Sequence, residues 1–259
     1  MQIHPTAIVS PEAELADDVT IGAFSIIGPK VTLGAGTVVG SHVIIEGRTS
    51  IGEKNEIFPF TAIGCAPQDI TYRGEDTRVE IGDGNIIREN MTISRGSNRG
   101  EGVTRIGNGN FLMAYVHVAH DCQVGSEVIM ANAVTLGGHV TVGSHAVIGG
   151  IVAIHQFVRV GEYSCIGGDS GVRMDLPPYM LATGSDNAKL YGPNLIGLRR
   201  NGFSEPTINA IKKCYRIVFR SALTVKDAVE KIRQDVESLP EVERLIDFIS
   251  LGSKRGIAR

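Results

Sequence analysis

Through most of this chain an aliphatic or Met side chain returns at every sixth residue, with polar and small residues between. The beat runs from Ile3 to Ile63, resumes at Ile81, Ile87 and Ile93, and continues without a gap from Ile106 through Val118, Leu136 and Ile154 to Val172. A period of six matches neither a helix nor a simple alternating strand, whereas short strands that turn a corner every six residues satisfy it. Three such hexads close a triangular coil of about eighteen residues, and stacked coils form a parallel β-helix. Gly after the beat, as at Gly22, Gly28, Gly34 and Gly40, suits tight corners.

Two segments leave the beat, about 65–80, containing Pro67-Gln68-Asp69, and about 95–105, rich in Gly and Arg around Asn98. Off-register segments must leave a coil as loops, and such loops gather on a binding face. The beat ends at Val172, and Pro177-Pro178 marks the exit because Pro cannot continue a ladder. After a polar, Gly-rich passage, Ser204-Glu205-Pro206 predicts a helix start, with Ile208, Ile211, Tyr215, Val218 and Phe219 as its apolar face. Thr224 predicts the cap of a second helix to about Glu237, and Pro240-Glu241 opens a third. The expected architecture is an all-β solenoid plus α: a β-helix over 1–180 and a helical domain over 181–259.

The charge balance, 25 basic against 28 acidic residues, excludes the basic footprint of a nucleic-acid binder. The four cysteines, Cys65, Cys122, Cys165 and Cys214, form no C-x-x-C pair, which fits a reduced setting. The first residues lack the order of a signal peptide, and no apolar run is long enough to span a membrane. A cytoplasmic protein is expected.

Chemistry concentrates where coils of eighteen would stack Val118, Leu136 and Ile154. One edge then collects His117, His120, Asp121, Gly138, His139, His155 and Gln156, which include four of the seven histidines. Histidine takes a proton near neutral pH, and an adjacent carboxylate fixes its tautomer and favours the imidazolium. Several histidines from adjacent coils also suit zinc with an open position, but His120 followed by Asp121 reads as a base with its orienter, and no Cys or Glu completes a shell. No metal is expected. Lys212, Lys213, Arg216 and Arg220 form a basic stripe, either a solvated helix face or a dock for an acidic partner. Arg199-Arg200, near Asn194, is a short pair of the kind that grips a diphosphate.

The segments Ile3-His4-Pro5-Thr6-Ala7, Pro67-Gln68-Asp69, His117-Val118-Ala119-His120-Asp121-Cys122, Gly138-His139-Val140, Val152-Ala153-Ile154-His155-Gln156-Phe157, Pro177-Pro178-Tyr179 and Arg200-Asn201-Gly202-Phe203 together resemble the hexapeptide-repeat acyltransferases. Within these they are similar to the acyl-carrier-protein-dependent UDP-N-acetylglucosamine O-acyltransferases that begin lipid A synthesis. The resemblance covers nearly the whole chain. It implies a left-handed coil and a homotrimer with active sites between subunits. It also implies transfer of an (R)-3-hydroxyacyl chain, delivered on the carrier's phosphopantetheine, to the glucosamine 3-position, with no separate cofactor. On the same grounds His120 is the general base, Asp121 its orienter and the Gly138 N–H an oxyanion donor. Gln68 and Asp69 fall to the substrate, with Asp69 contacting acyl hydroxyl and sugar. His117, His139, His155 and Gln156 fall to the UDP-sugar, and Asn194 and Arg200 to the nucleotide. Gly168, without a side chain, leaves the groove open to a long acyl chain.

Two positions depart from the family pattern. Thr71 stands where Lys is frequent, and Ile196 where Glu is frequent. Some relatives acylate the 3-amino analogue of the sugar, so both acceptors remain in play. The N-acyltransferase acting later in the pathway would carry a uridine-binding domain before the coil, but here hexads begin at Ile3. An acetyl-CoA-dependent acetyltransferase or a noncatalytic solenoid would explain the coil without the full set of segments.

Overall fold

The beat becomes a prism of three sheets in a computed structural model that describes residues 1–259. Strands of two to four residues alternate among sheets of eleven, nine and eight strands, each pairing in parallel with the strand one coil away, except for a five-residue antiparallel strand that ends the largest sheet. The repeat is eighteen residues, with Gln2 opposite Thr20 and His117 opposite Thr135. It widens to twenty-five where Thr92 lies opposite His117, because the residues between Ser94 and Val103 leave the coil. The coil is left-handed, as the resemblance implied.

From Ile21 to Val172 each beat residue points inward and is at most 4% exposed. Burying a Val, Leu or Ile stabilises by roughly 1.5–3 kcal/mol, so the periodic core drives the fold. Ile3, by contrast, is 40% exposed, since the first coil has none beneath it. A buried ladder of Asn55, Asn85 and Asn110 lines one corner, each Asn Oδ1 accepting from the backbone of the next coil.

The outward positions divide sharply. On the eight-stranded sheet they are Glu14, Thr32, Ser50, Glu80, Arg105, Gln123, Thr141 and Arg159. On the eleven-stranded sheet they include Val38, Ile86, Ile129 and Val147, and on the nine-stranded sheet Ile8, Ile26 and Ile44, all more than a third exposed. Exposed aliphatic side chains thus concentrate on two faces of the prism, among polar positions such as Glu56 and His117, while the third face is polar throughout.

Beyond the Pro177-Pro178 exit the chain re-enters the coil. Met180–Thr183 pairs in parallel with Cys165–Ile166 and then, antiparallel, with Lys189–Pro193. The expected boundary at 180/181 thus falls inside a strand, and the helical part starts at Leu195. Its first helix, α1 (Leu195–Arg200), lies in what reads as a polar passage. The remaining helices, α2 (Glu205–Phe219), α3 (Val225–Asp235) and α4 (Pro240–Ser250), start where the capping signals predict. Ser204 and Thr224 each accept the N–H three residues on. Arg159 fastens this part to the coil, donating to buried Asp175 at 2.7 Å while its guanidinium lies 4.5 Å from the centre of the Phe248 ring in α4.

Candidate active site

Each corner after the nine-stranded sheet has the same form, and three successive corners carry Asp121, His139 and Phe157 at positive φ of 60°, 61° and 66°. For residues other than Gly this conformation costs roughly 1–2 kcal/mol. Stacking offsets it: the His139 and Phe157 rings lie 4.5 Å apart and 6° from parallel. One residue earlier in each corner stand His120, Gly138 and Gln156.

The Asp121 carboxylate is buried, its side chain 3% exposed. Its Oδ2 accepts from Ser97 N at 2.9 Å, Ser97 Oγ at 2.8 Å and His120 Nδ1 at 2.9 Å, and its Oδ1 from Gly102 N at 3.1 Å. Burial pushes the carboxyl up, but the hydrogen bonds from His120 and Ser97 outweigh it and hold the group below the ordinary carboxylate value. A carboxylate only accepts, so His120 Nδ1 carries the proton and Nε2 is left as the basic nitrogen. The second insertion, one of the two expected on a binding face, therefore wraps this carboxylate. Ser97 was missed in the sequence because nothing local ties it to Asp121. The flanking glycines were the available signal, since a Cβ at Gly100 would meet Asp121 Oδ1 at 2.5 Å.

Gly138 is required by space. A Cβ there would lie 2.6 Å from the His120 ring. Its N–H donates to no protein group, and Gly138 lines the same groove as His120, so an unused backbone donor without a covering side chain stands at that groove. His139 sits behind, its ring edge-on to His120 at 5.1 Å and its Nδ1 4.0 Å from Asp121 Oδ2. Burial holds His139 and His117 below the ordinary imidazole value. His117 Nδ1 lies 2.7 Å from Thr92 Oγ1.

A cavity of about 700 Å³ runs over the nine-stranded sheet from this edge, lined by Gln68, His117, His120, Gly138, His155 and Gln156 among others. Of the expected site residues these six share one groove, with Asp121 and His139 supporting it from behind. Asp69 follows Gln68 on the first insertion. Its Oδ1 accepts from Thr71 N and Thr71 Oγ1, both at 2.8 Å, and these bonds lower its carboxyl. Another depression of about 450 Å³ lies over the eight-stranded sheet, where Glu12, Lys30, Arg48, Arg78 and Glu80 line it, but no histidine does.

Three expected residues stand elsewhere in the single chain. Asn194 caps α1, accepting from Gly197 N and donating to Tyr163 O at a different prism edge. Arg200, at the end of α1, is exposed and makes no ion pair, whereas Arg199 is spent on Glu205 at 2.8 Å. Gly168 is exposed at the third edge, where a Cβ would come no closer than 3.3 Å to Gly150 O.

The nearest approach to a metal cluster is His120, Asp121 and His139, with ligand atoms within 4.8 Å. Asp121 already receives four protein donors, so this donor set fits a braced base better than a cation shell.

The hexad prism, with an imidazole, its carboxylate partner and a free amide at one groove, has the build of the hexapeptide-repeat transferases, and residues 12–47 and 104–138 match the bacterial transferase hexapeptide profile. Residues 175–258 match the profile described as UDP N-acetylglucosamine O-acyltransferase, domain 2. A relative from Syntrophobacter fumaroxidans, named acyl-[acyl-carrier-protein]–UDP-N-acetylglucosamine O-acyltransferase, is 58% identical over 259 residues, all of both chains. One of the same name from Thermodesulfovibrio yellowstonii is 54% identical over all of this chain and 99% of its own. A solved structure of the enzyme from Acinetobacter baumannii superposes with a TM-score of 0.96 at 45% identity, covering both chains completely. This chain belongs to the UDP-N-acetylglucosamine O-acyltransferase family.

Proposed function

We propose that His120 is the general base in transfer of a 3-hydroxyacyl chain from acyl carrier protein to UDP-N-acetylglucosamine, the reaction for which the family is named and the first step of lipid A biosynthesis. The observation that carries this reading is the Asp121–His120–Gly138 arrangement beside an open groove. Nε2 of His120 takes the proton of the acceptor hydroxyl as its oxygen attacks the thioester carbonyl. Asp121 holds the ring and stabilises the imidazolium. The Gly138 N–H donates to the oxyanion, a type of interaction worth about 3 kcal/mol in the transition state. As the C–S bond breaks, the imidazolium returns its proton to the phosphopantetheine sulfur of the carrier. No metal or separate cofactor enters.

The acting unit is a homotrimer. Exposed aliphatic side chains on two faces and a polar third face suit a closed ring, with the eleven-stranded face of one copy against the nine-stranded face of the next. Such packing brings the neighbour's Asn194 and Arg200 to the groove, where Arg200 pairs with the diphosphate. Asn194 retains one amide hydrogen and one lone pair beyond its cap for the nucleotide. His117, His139, His155 and Gln156 position the sugar, Gln68 and Asp69 engage sugar and acyl hydroxyl, and Gly168 leaves room for a long chain. Lys212, Arg216 and Arg220, none of them in an ion pair, offer the acidic carrier a docking stripe on α2. No helix is long and apolar enough to cross a membrane, and we place the enzyme in the cytoplasm beside its carrier.

The 3-amino sugar is the second acceptor to weigh. Thr71, where Lys is frequent in the family, is engaged with Asp69 and brings no charge to the sugar. A competition assay of the two sugars, read by product mass, decides between ester and amide. For the mechanism itself, His120→Ala is expected to lower turnover by about a hundredfold or more. Undiminished turnover, or transfer from acetyl-CoA without carrier protein, would remove the assignment.

A further inference from the structure

The last nine residues return to the histidine edge. Ile257 bridges Asp175 in parallel, Asp175 N donates to Gly256 O at 2.8 Å and Ala258 N to Asp175 O at 2.9 Å, and Ala258 is buried. This strap sets Lys254 Nζ 4.3 Å from the centre of the Phe157 ring, and Arg255 donates from Nε to Gln156 O at 2.8 Å. Phe157 is the ring that stacks on His139. A single column therefore runs along the edge from a carboxylate through an imidazole and a phenyl ring to an ammonium. Lys254 makes no ion pair and no hydrogen bond to protein, so its charge is not spent on a neighbouring acid.

We propose that Lys254 is a positioning residue for acyl transfer, keeping the His139 imidazole neutral through the Phe157 ring so that Asp121 serves His120 alone. The physical need is clear from the distances. Asp121 Oδ2 lies 2.9 Å from His120 Nδ1 and 4.0 Å from His139 Nδ1, so a protonated His139 would draw on the same carboxylate. It would also stand beside the imidazolium that forms on His120, with the two rings 5.1 Å apart. A cation on one face of Phe157 occupies the electron-rich π cloud and disfavours a second cation stacked on the other. The His139 side chain is only 15% exposed, so solvent screens this effect weakly.

The groups facing His139 are few. His120 and Asp121 come from the corner below, Phe157 from the corner above, and Lys254 and Arg255 from the strap. Asp69, itself influenced by Arg99, comes from the first insertion, and Gly100 from the second. Burial is the largest influence holding the imidazole down, Asp121 opposes it, and His120 and Lys254 reinforce it.

The inference rests on His120 being the base, and its test separates the two. In the full-length enzyme with labelled histidine, Lys254→Met should raise the His139 titration midpoint seen by NMR, a readout independent of turnover. The acid limb of kcat/KM should steepen, with a further loss of about two- to fivefold one pH unit below the optimum and little change at the optimum. Lys254→Arg, which retains a cation over the ring, should keep the parental profile. An unmoved His139 midpoint, or a loss equal at every pH, would overturn the inference and leave the strap as mere packing. A fully active His120→Ala would instead overturn the underlying mechanism while leaving the His139 midpoint to be read on its own.

Discussion

His42 and His139 occupy the same place in the hexad on different edges of the prism, at corners with φ of 58° and 61°, and each stacks flat against a Phe one coil on. The first stack, Phe24–His42–Phe60, has centroid spacings of 5.0 Å and its phenyl rings are more than half exposed. Its imidazole makes no hydrogen bond. The second has beneath it a carboxylate held by Ser97 and Gly102, which arrive on an insertion. Repetition alone builds ring columns on every edge of the prism, including His145 on Tyr163 at the remaining one. A buried, braced carboxylate joins such a column only where the repeat is broken, because out-of-register chain is what folds back over a corner and desolvates it.

The sharpest way to break this comparison is to remove the charge that distinguishes the columns. Asp121→Asn should lower kcat/KM by roughly 10²–10⁴-fold, because the amide cannot accept every bond the carboxylate takes and no longer stabilises the imidazolium. His42→Ala should leave turnover unchanged. Equal effects in steady-state assays would mean that stacking, not the carboxylate, makes the site.

A smaller effect is expected from filling space beside the base. Gly138→Ala puts a methyl against the His120 ring and should cost up to about 10²-fold in kcat by displacing the imidazole. Gly168→Ala meets only Gly150 O at 3.3 Å and should fold and turn over, shifting donor preference toward shorter acyl chains in a chain-length assay.

The smallest effect is on stability. His117 and His139 are held below the ordinary imidazole value of 6.5, chiefly by burial, so the unfolded chain binds protons that the native chain refuses. Stability should therefore fall as pH drops below 6.5 toward the native values. The lowered carboxyl of Asp121 works in a separate window. Its contribution is complete above the ordinary 3.8 and is lost as pH falls through the native value. Melting temperatures taken from pH 8 downward should show the first decline, and His139→Phe, which retains a ring in the stack, should reduce it.

The sequence by itself determined the coil, its eighteen-residue turn, the two insertions, three of the four helices and the clustering of His117, His120, Asp121, Gly138, His155 and Gln156. Each is a local rule repeated at fixed spacing, so period and capping residues reveal it. Only the tertiary structure decided that Ser97 and Gly102 brace Asp121, that Asn194 caps a short helix at another edge, that the sheet continues past residue 180, and that Lys254 closes the histidine column. These contacts join an insertion or a terminus to a corner far away in sequence. Such pairings leave no period behind, since what selects them is the fit of one non-repeating segment against a surface that exists only once the coil has formed.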